Sequence, residues 1–157
     1  MFNPRLLTIF LVFSGFILFW GPRAYAFANS PLEKTQTAFR QVLCMEQDRY
    51  LYYRDVIRAL SYTRMRALRA FCSLPYFTAD QAVNTLERLV FYPVGFEQAK
   101  LLEHLAATGN AREEDCWRLL EDTAGLEFTA MQAAAASANI KGLTPQAAGS
   151  ILMAQPV

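Results

Sequence analysis

The sequence has few of the residues on which catalysis and metal binding usually depend. It contains one histidine, His104, and three cysteines in 157 residues. No C-x-x-C, C-x-x-C-H or H-E-x-x-H spacing occurs, which excludes zinc fingers, c-type haem attachment sites and zincin proteases. A Ser–His–acid triad would need His104, but the chain has no G-x-S-x-G nucleophile turn. The sequence therefore predicts no metal site, no cofactor and no catalytic residue, and it indicates a structural role for His104.

The sequence also has little net charge and few turn-forming residues. The formal net charge is +1, and the chain has seven glycines and seven prolines. The hydrophobic fraction of 54% is too high for an intrinsically disordered chain. Glycine and proline are too few for a collagen-like or low-complexity protein. The length suits one folded domain.

Residues 1–26 have the pattern of a secretory signal peptide. Arg5 precedes the uncharged apolar run of residues 6–20, and residues 24–26 form the A-x-A pattern of a cleavage site. As a helix the run would span roughly 22 Å at about 1.5 Å per residue, short of a hydrocarbon core of about 30 Å. We therefore expect export to the periplasm or the exterior, with cleavage of this segment. The alternative is an uncleaved N-terminal anchor formed by residues 6–20.

The remaining residues, 27–157, have the pattern of a single all-α domain. Apolar side chains recur at helical spacing, and no segment alternates at the period of two that is typical of strands. Helix starts are indicated at Ser30-Pro31-Leu32-Glu33 and at Thr78-Ala79-Asp80-Gln81, where a capping residue is followed three positions later by Glu or Gln. The fold class predicted is a helical bundle of about five to seven helices.

Two regions of this domain differ in pattern. Residues 31–74 form a long basic helical segment, either one helix or two helices with a break near residues 46–48. Residues 78–154 form a helical-hairpin region in which helix starts and glycines recur about every 33 residues, as at Gly109 and Gly142. A short helix–turn–helix repeat of period 33 would explain this spacing. Coincidence among helices of similar length in an ordinary bundle is the alternative.

Charge is divided between the two halves of the domain. Residues 40–72 contain seven arginines and three acidic residues, whereas residues 73–157 contain five basic and ten acidic residues. The basic half also carries several tyrosines, a combination that can contact another protein. The candidate binding residues are Tyr50, Tyr53, Arg54, Arg58, Tyr62, Arg66 and Arg69.

The sequence favours a protein-interaction module as the function. We expect the partner to be an envelope or extracellular protein bound through helix faces. The same basic helix could instead pack its apolar side on the core and leave its arginines solvated, or touch an anionic membrane surface. Export and the acidic second half argue against nucleic acid.

Two other classes of function fit an exported helical protein. A small hydrolase would place a pair of carboxylates across the scissile bond, and Glu97 and Glu103 are candidates for such a pair. A carrier would hold an apolar ligand between helices, and Ala130, Ala134 and Ala138 would give the small side chains for it. These three alanines also suit close packing of helices.

The cysteines offer one disulfide at most. Cys44, Cys72 and Cys116 would meet an oxidising compartment after export. One disulfide plus one buried free thiol is the simplest arrangement, and the sequence does not distinguish among the three pairings.

Overall fold

Helices are the only regular secondary structure in the part of the chain that the structure describes. The structure is a computed structural model, and it describes residues 30–44, 47–138, 140 and 142–154. The helices there are α1 (Pro31–Leu43), α2 (Gln47–Ala59), α3 (Tyr62–Cys72), α4 (Ala79–Phe91), α5 (Phe96–Ala107), α6 (Glu113–Asp122), α7 (Phe128–Ser137) and α8 (Pro145–Met153). The predicted all-α bundle is confirmed, with eight helices over these residues rather than five to seven.

Local hydrogen bonds fix several of the helix starts. Ser30 Oγ accepts from the Glu33 backbone N–H at 3.2 Å, and Thr144 Oγ1 accepts from the Ala147 N–H at 3.2 Å. Thr78 and Gln81 form the complete reciprocal capping box, in which each side chain accepts from the backbone N–H of the other. Because such caps involve residues only three positions apart, the sequence predicts them directly.

The basic segment of residues 31–74 is three helices, which corrects both sequence-based alternatives. The first break falls between α1 and α2, close to the predicted position. The second separates α2 from α3, where the Ser61 side chain accepts from the Arg64 N–H at 3.4 Å and caps α3. A serine that bonds its own backbone neighbours competes with helix continuation. The candidate arginines are therefore divided between two helices, with Arg54 and Arg58 on α2 and Arg66 and Arg69 on α3.

Helix α5 lies at the centre of the bundle. It packs against α3, α6 and α8, while α1 packs against α2, α3 and α4. Helix α2 is peripheral, since its main packing partner is α1. The largest fully buried side chains come from α1 to α6, namely Phe39, Leu43, Tyr50, Ile57, Leu68, Phe71, Leu86, Leu89, Leu101, Leu102, Leu119 and Leu120.

The 33-residue spacing marks helix boundaries in the C-terminal half. Helices α4, α6 and α8 begin at residues 79, 113 and 145, so the intervals are 34 and 32 residues. Gly109 and Gly142 both have positive φ, 75° and 83°, just before the next helix. The helices that follow this spacing do not pack as a row of similar hairpins, because α4 packs on α1 and α3 while α5 packs on α3, α6 and α8.

Small residues lie where the last two helices meet the bundle and each other. Helix α7 buries Met131 and Ala135, while Ala130 is exposed. The close approach to α8 is at Gly149, where an added Cβ would lie 2.6 Å from Nε2 of Gln132. Of the other two alanines noted in the sequence, Ala134 is half-buried and Ala138 is half-buried against the core.

A buried lysine holds the end of α8 against α5. Lys100 Nζ donates to the carbonyl oxygen of Leu152 at 2.6 Å and also to that of Ala154. The ammonium group lies 4.7 Å from the centre of the Phe96 ring. These carbonyls are at the C-terminal end of a helix, where a cation is favourable.

Replacing Lys100 with methionine is expected to loosen α8 while keeping the apolar stem packed. Loss of the charge-assisted hydrogen bonds should lower the free energy of unfolding by about 1–3 kcal/mol. It should also speed amide hydrogen exchange in α8, measured by mass spectrometry. Lys34→Met on the exposed face of α1 is the matched control and should change neither quantity appreciably. Equal effects of the two variants would show that Lys100 does not hold α8.

The predicted signal peptide lies outside the described residues. Residues 1–26, with the apolar run of residues 6–20, belong to the part of the chain of which the structure describes nothing. Among the residues that it does describe, no helix is both long and apolar enough to cross a bilayer.

Candidate functional site: a basic groove beside helix α2

The seven predicted binding residues range from buried to exposed. Tyr50 is 2% exposed and lies beneath Arg40, whose guanidinium carbon is 4.3 Å from the centre of its ring. Arg66 is 7% exposed and belongs to the interior of the bundle. Arg58 and Tyr62 are exposed, and the Arg54 side chain is 41% accessible. Tyr53 and Arg69 are half-buried, and the Arg69 side chain is 32% accessible.

Polar contacts between side chains join the first half of α2 to α4. Arg49 Nη2 lies 2.6 Å from Asp80 Oδ1, and the Tyr53 hydroxyl donates to Glu87 Oε1 at 3.4 Å. Burial, followed by the charge of Glu87, raises the pKa of Tyr53, which keeps this hydroxyl protonated. Since the paired residue numbers increase together, α2 and α4 run in parallel. Tyr53 is therefore a structural link between the two helices.

Beyond these contacts the seam between α2 and α4 opens into a groove. Its volume is about 380 Å³, and it is lined by Asp55, Val56, Ala59, Leu60, Arg64 and Val90. Four of these side chains are aliphatic, so the floor is apolar. We call this site the α2–α4 groove.

The rim of the α2–α4 groove is basic. Asp55 Oδ1 accepts from Arg54 Nε and from Arg58 Nη1, each at 3.4 Å. Arg64 Nε donates to the backbone carbonyl of Tyr92 at 2.9 Å, which fixes this guanidinium at the end of α4. Two guanidinium groups therefore share the Asp55 carboxylate and a third bonds a backbone carbonyl, so the rim retains a net positive charge.

Large apolar side chains are exposed on the same two helices. Phe91 follows the groove residue Val90 and is 86% exposed, and on α2 Tyr52 is 76% exposed with Leu51 beside it in the sequence. The Tyr52 ring packs edge-on against Tyr53 at a centroid distance of 4.9 Å, which orients it. Exposed aromatic side chains near an apolar depression are typical of protein-binding surfaces.

Arg66 and Arg69 have a different environment, in which they share the carboxylate of Glu103. Arg66 donates through Nε to Oε1 at 2.9 Å and through Nη2 to Oε2, and Arg69 Nη2 donates to Oε1 at 3.1 Å. The Arg66 guanidinium carbon also lies 5.2 Å from the centre of the Phe96 ring. This cluster joins α3 to α5, the central helix, and its arginines serve the fold.

The electrostatics of Glu103 bear on the hydrolase hypothesis. Burial by itself raises the pKa of Glu103, but the hydrogen bonds and charges of Arg66 and Arg69 outweigh it and hold the pKa below its ordinary value. A general acid in glycoside hydrolysis needs the opposite shift, so that it stays protonated near neutral pH. The position of Glu103 therefore argues against a role as proton donor.

The three cysteines are all free in the structure. Cys44 is exposed at the end of α1, Cys72 is half-buried in α3 and Cys116 is buried in α6. Burial raises the pKa of the Cys72 thiol to about 12 and, together with the charges of Asp115 and Glu113, raises that of Cys116 to about 12. Both thiols therefore remain protonated near neutral pH and are weak nucleophiles.

Other titratable residues have roles in the fold. Glu113 accepts hydrogen bonds from Gln81 Nε2 at 2.9 Å, from Thr85 Oγ1 at 3.2 Å and from Trp117 Nε1 at 3.3 Å, which ties α4 to α6. Over the described ranges, no group of three or more His, Cys, Asp or Glu side chains is arranged to hold a metal ion.

None of the six residues that line the α2–α4 groove was among the predicted binding residues, although Arg54 and Arg58, which contact Asp55, were. Arg64, Val90 and Phe91 were not singled out from the sequence. A signal for Phe91 was nevertheless present. The buried positions of α4 include Ala82, Leu86 and Leu89, and Phe91 lies off this stripe. A large apolar residue off the buried face of an amphipathic helix indicates a second contact surface.

Comparison with known proteins finds no match for this chain: no family model, no curated protein and no solved structure is significantly similar to it.

Proposed function

We propose that this protein is an exported all-α module that binds a partner protein in the envelope or outside the cell through the α2–α4 groove. The observation that carries the proposal is the groove itself, an apolar depression lined by Arg64 and by Asp55, whose carboxylate is contacted by Arg54 and Arg58. Export is supported by the signal-peptide pattern of residues 1–26.

The chemistry of the groove favours a protein over other macromolecules. The second half of the chain, residues 73–157, has twice as many acidic as basic residues. A protein segment can offer apolar side chains and carboxylates together, and both match this site.

Charge reversal at the rim tests the proposal. Peptides are first selected on the wild-type protein from a display library with no structural bias, and their dissociation constants are measured by calorimetry. Arg54→Glu combined with Arg58→Glu should weaken binding at least about 10-fold, because attractive rim charges become repulsive. Both side chains are solvent-accessible, so circular dichroism should show an intact fold.

The matched control reverses two exposed arginines on another helix. Arg112 and Arg118 lie at the start and in the middle of α6, and both are exposed. The double variant R112E/R118E carries the same change in net charge and should bind the selected peptides like the wild type. If both double variants bind equally, or if no peptide depends on Arg54 and Arg58, the α2–α4 groove is not a binding site for proteins.

A further inference from the structure

We infer that the occupant of the α2–α4 groove is an amphipathic helix of the partner, with apolar anchor residues on one face flanked by Glu or Asp. The inference rests on the proposed function and specifies the chemistry and conformation of the segment that is bound. Three properties of the described residues carry it: the shape of the groove, its floor and its charge.

The architecture around the groove leaves few ways to bind a peptide. Addition of a strand requires an exposed sheet edge, and the described residues contain only helices. Polyproline segments dock in grooves lined by aromatic rings, whereas this floor consists of Val56, Ala59, Leu60 and Val90. A furrow between two parallel helices with an aliphatic floor suits the third common mode, in which a helix inserts its apolar face.

The size of the groove agrees with this mode. About 380 Å³ holds a few apolar side chains but not a whole element of secondary structure. Side chains at helical spacing of three and four residues project from one face and can enter such a depression together. Phe91 follows the groove residue Val90, Tyr52 lies one helical turn before the groove residues of α2, and both are largely exposed.

The rim determines the charge of the occupant. Arg54 and Arg58 share the single carboxylate of Asp55, and Arg64 bonds a backbone carbonyl rather than an acid. Guanidinium groups form strong bidentate hydrogen bonds with carboxylates. A helix with Glu or Asp beside its apolar anchors would complete the charge pairing that Asp55 provides only in part.

The acidic helix of the chain itself is not available for this purpose. Helix α6 has acidic residues in its first and last turns, but its apolar side chains Cys116, Leu119 and Leu120 are fully buried in the bundle. Glu113 is bonded to α4, and Glu121 Oε1 lies 2.7 Å from Arg88 Nη2. The occupant is therefore a segment of another protein rather than α6 of this chain or of a second copy.

The experiment analyses the peptides that depend on the groove. Peptides are selected on the wild-type protein from a library without structural bias. Those that no longer bind the R54E/R58E variant are then identified. Each of these peptides is next tested against the Ala59→Trp variant, in which the added ring fills the groove from an exposed position. Ala133→Trp, on the exposed face of α7, is the control for the added ring and should bind normally.

We expect the peptides lost in both variants to share three properties. They should have apolar residues spaced by three and four positions with acidic neighbours, and they should gain helical circular dichroism on binding. Changing their Glu to Gln should weaken binding about 10-fold, and changing it to Lys should restore binding to R54E/R58E but not to A59W.

The outcomes separate the two proposals. Groove-dependent peptides that are not acidic, or that bind in an extended conformation, overturn the helix inference and leave the proposed function intact. If no peptide depends on the groove, both proposals fail. Competition of groove-dependent binding by vesicles of phosphatidylglycerol would assign the site to a lipid surface and would also overturn the inference.

Discussion

Replacing Glu103 with alanine is expected to lower the free energy of unfolding by about 3 kcal/mol, which is a large part of the stability of a small domain. Glu103 is the shared acceptor for Arg66 and Arg69, and the Arg66 side chain is only 9% accessible. Without the carboxylate, the Arg66 cation would remain buried with no charge partner. Breaking a buried pair in this way costs more than the pair itself contributes.

Denaturant unfolding monitored by circular dichroism measures this loss. Glu97→Ala is the control, since Glu97 lies on the same helix in its first turn and makes no ion pair among the described residues. The E97A substitution should lower the free energy of unfolding by at most about 1 kcal/mol, which is the usual contribution of a carboxylate near a helix N-terminus. A similar small cost for E103A would mean that the cluster does not stabilise the bundle.

The same carboxylate predicts a dependence of stability on pH. Its pKa in the folded protein is below the ordinary value of 4.5, so the unfolded chain binds this proton more readily than the folded one. The stabilisation is present above the pKa of the unfolded state and is lost as the pH falls through the lower, folded value. The difference in stability between the wild type and Glu103→Gln should therefore shrink below pH 4.5, and a constant difference would contradict this assignment.

Replacing Trp117 with alanine is expected to lower the free energy of unfolding by about 3–5 kcal/mol. Trp117 is 6% exposed, and its ring centre lies 4.9 Å from that of Phe71 and 5.6 Å from that of Tyr92. The Arg88 guanidinium carbon is 3.8 Å from its ring centre, and Nε1 donates to Glu113 at 3.3 Å. Truncation would open a cavity where α3, α4 and α6 meet and would also leave Glu113 without one of its donors.

Two further variants separate the packing from the polar contact. Trp117→Phe keeps an aromatic ring against Phe71 but removes the N–H donor. Loss of this hydrogen bond should lower the free energy of unfolding by about 1–2 kcal/mol, in addition to the effect of the smaller ring. Tyr76→Ala, at a side chain that is 98% exposed, is the control and should change stability by less than about 0.5 kcal/mol. Comparable losses for W117A and Y76A in thermal and denaturant unfolding would contradict the place of Trp117 in the core.

The all-α class and several helix starts were predictable because they depend on neighbouring residues. Caps such as Ser30 and Thr78 act over three positions, and the apolar period of a helix is visible within one or two turns. The break at Ser61 was missed for a related reason. The apolar pattern continues across it almost in phase, and only the bond from the Arg64 N–H shows that Ser61 starts a new helix.

The division of the arginines could not be read from the sequence. Arg58 and Arg66 look alike in a helical projection, yet one lies at the rim of a groove and the other is buried beside Glu103. The difference arises from a partner 37 residues away, which a local pattern does not identify. For the same reason the predicted binding set included Tyr50, which the packing of α1 places in the core.

The sequence by itself determined the class of the fold, the main capping residues and the excess of arginine over acid in residues 40–72. These properties depend on composition and on contacts within a few residues of each other along the chain. The tertiary structure decided which of those arginines are exposed, and it brought Val90 of α4 beside Val56 and Leu60 to make an apolar groove. A groove between two helices exists only after both have packed on a third, here α1, so its position depends on the whole bundle rather than on any one segment.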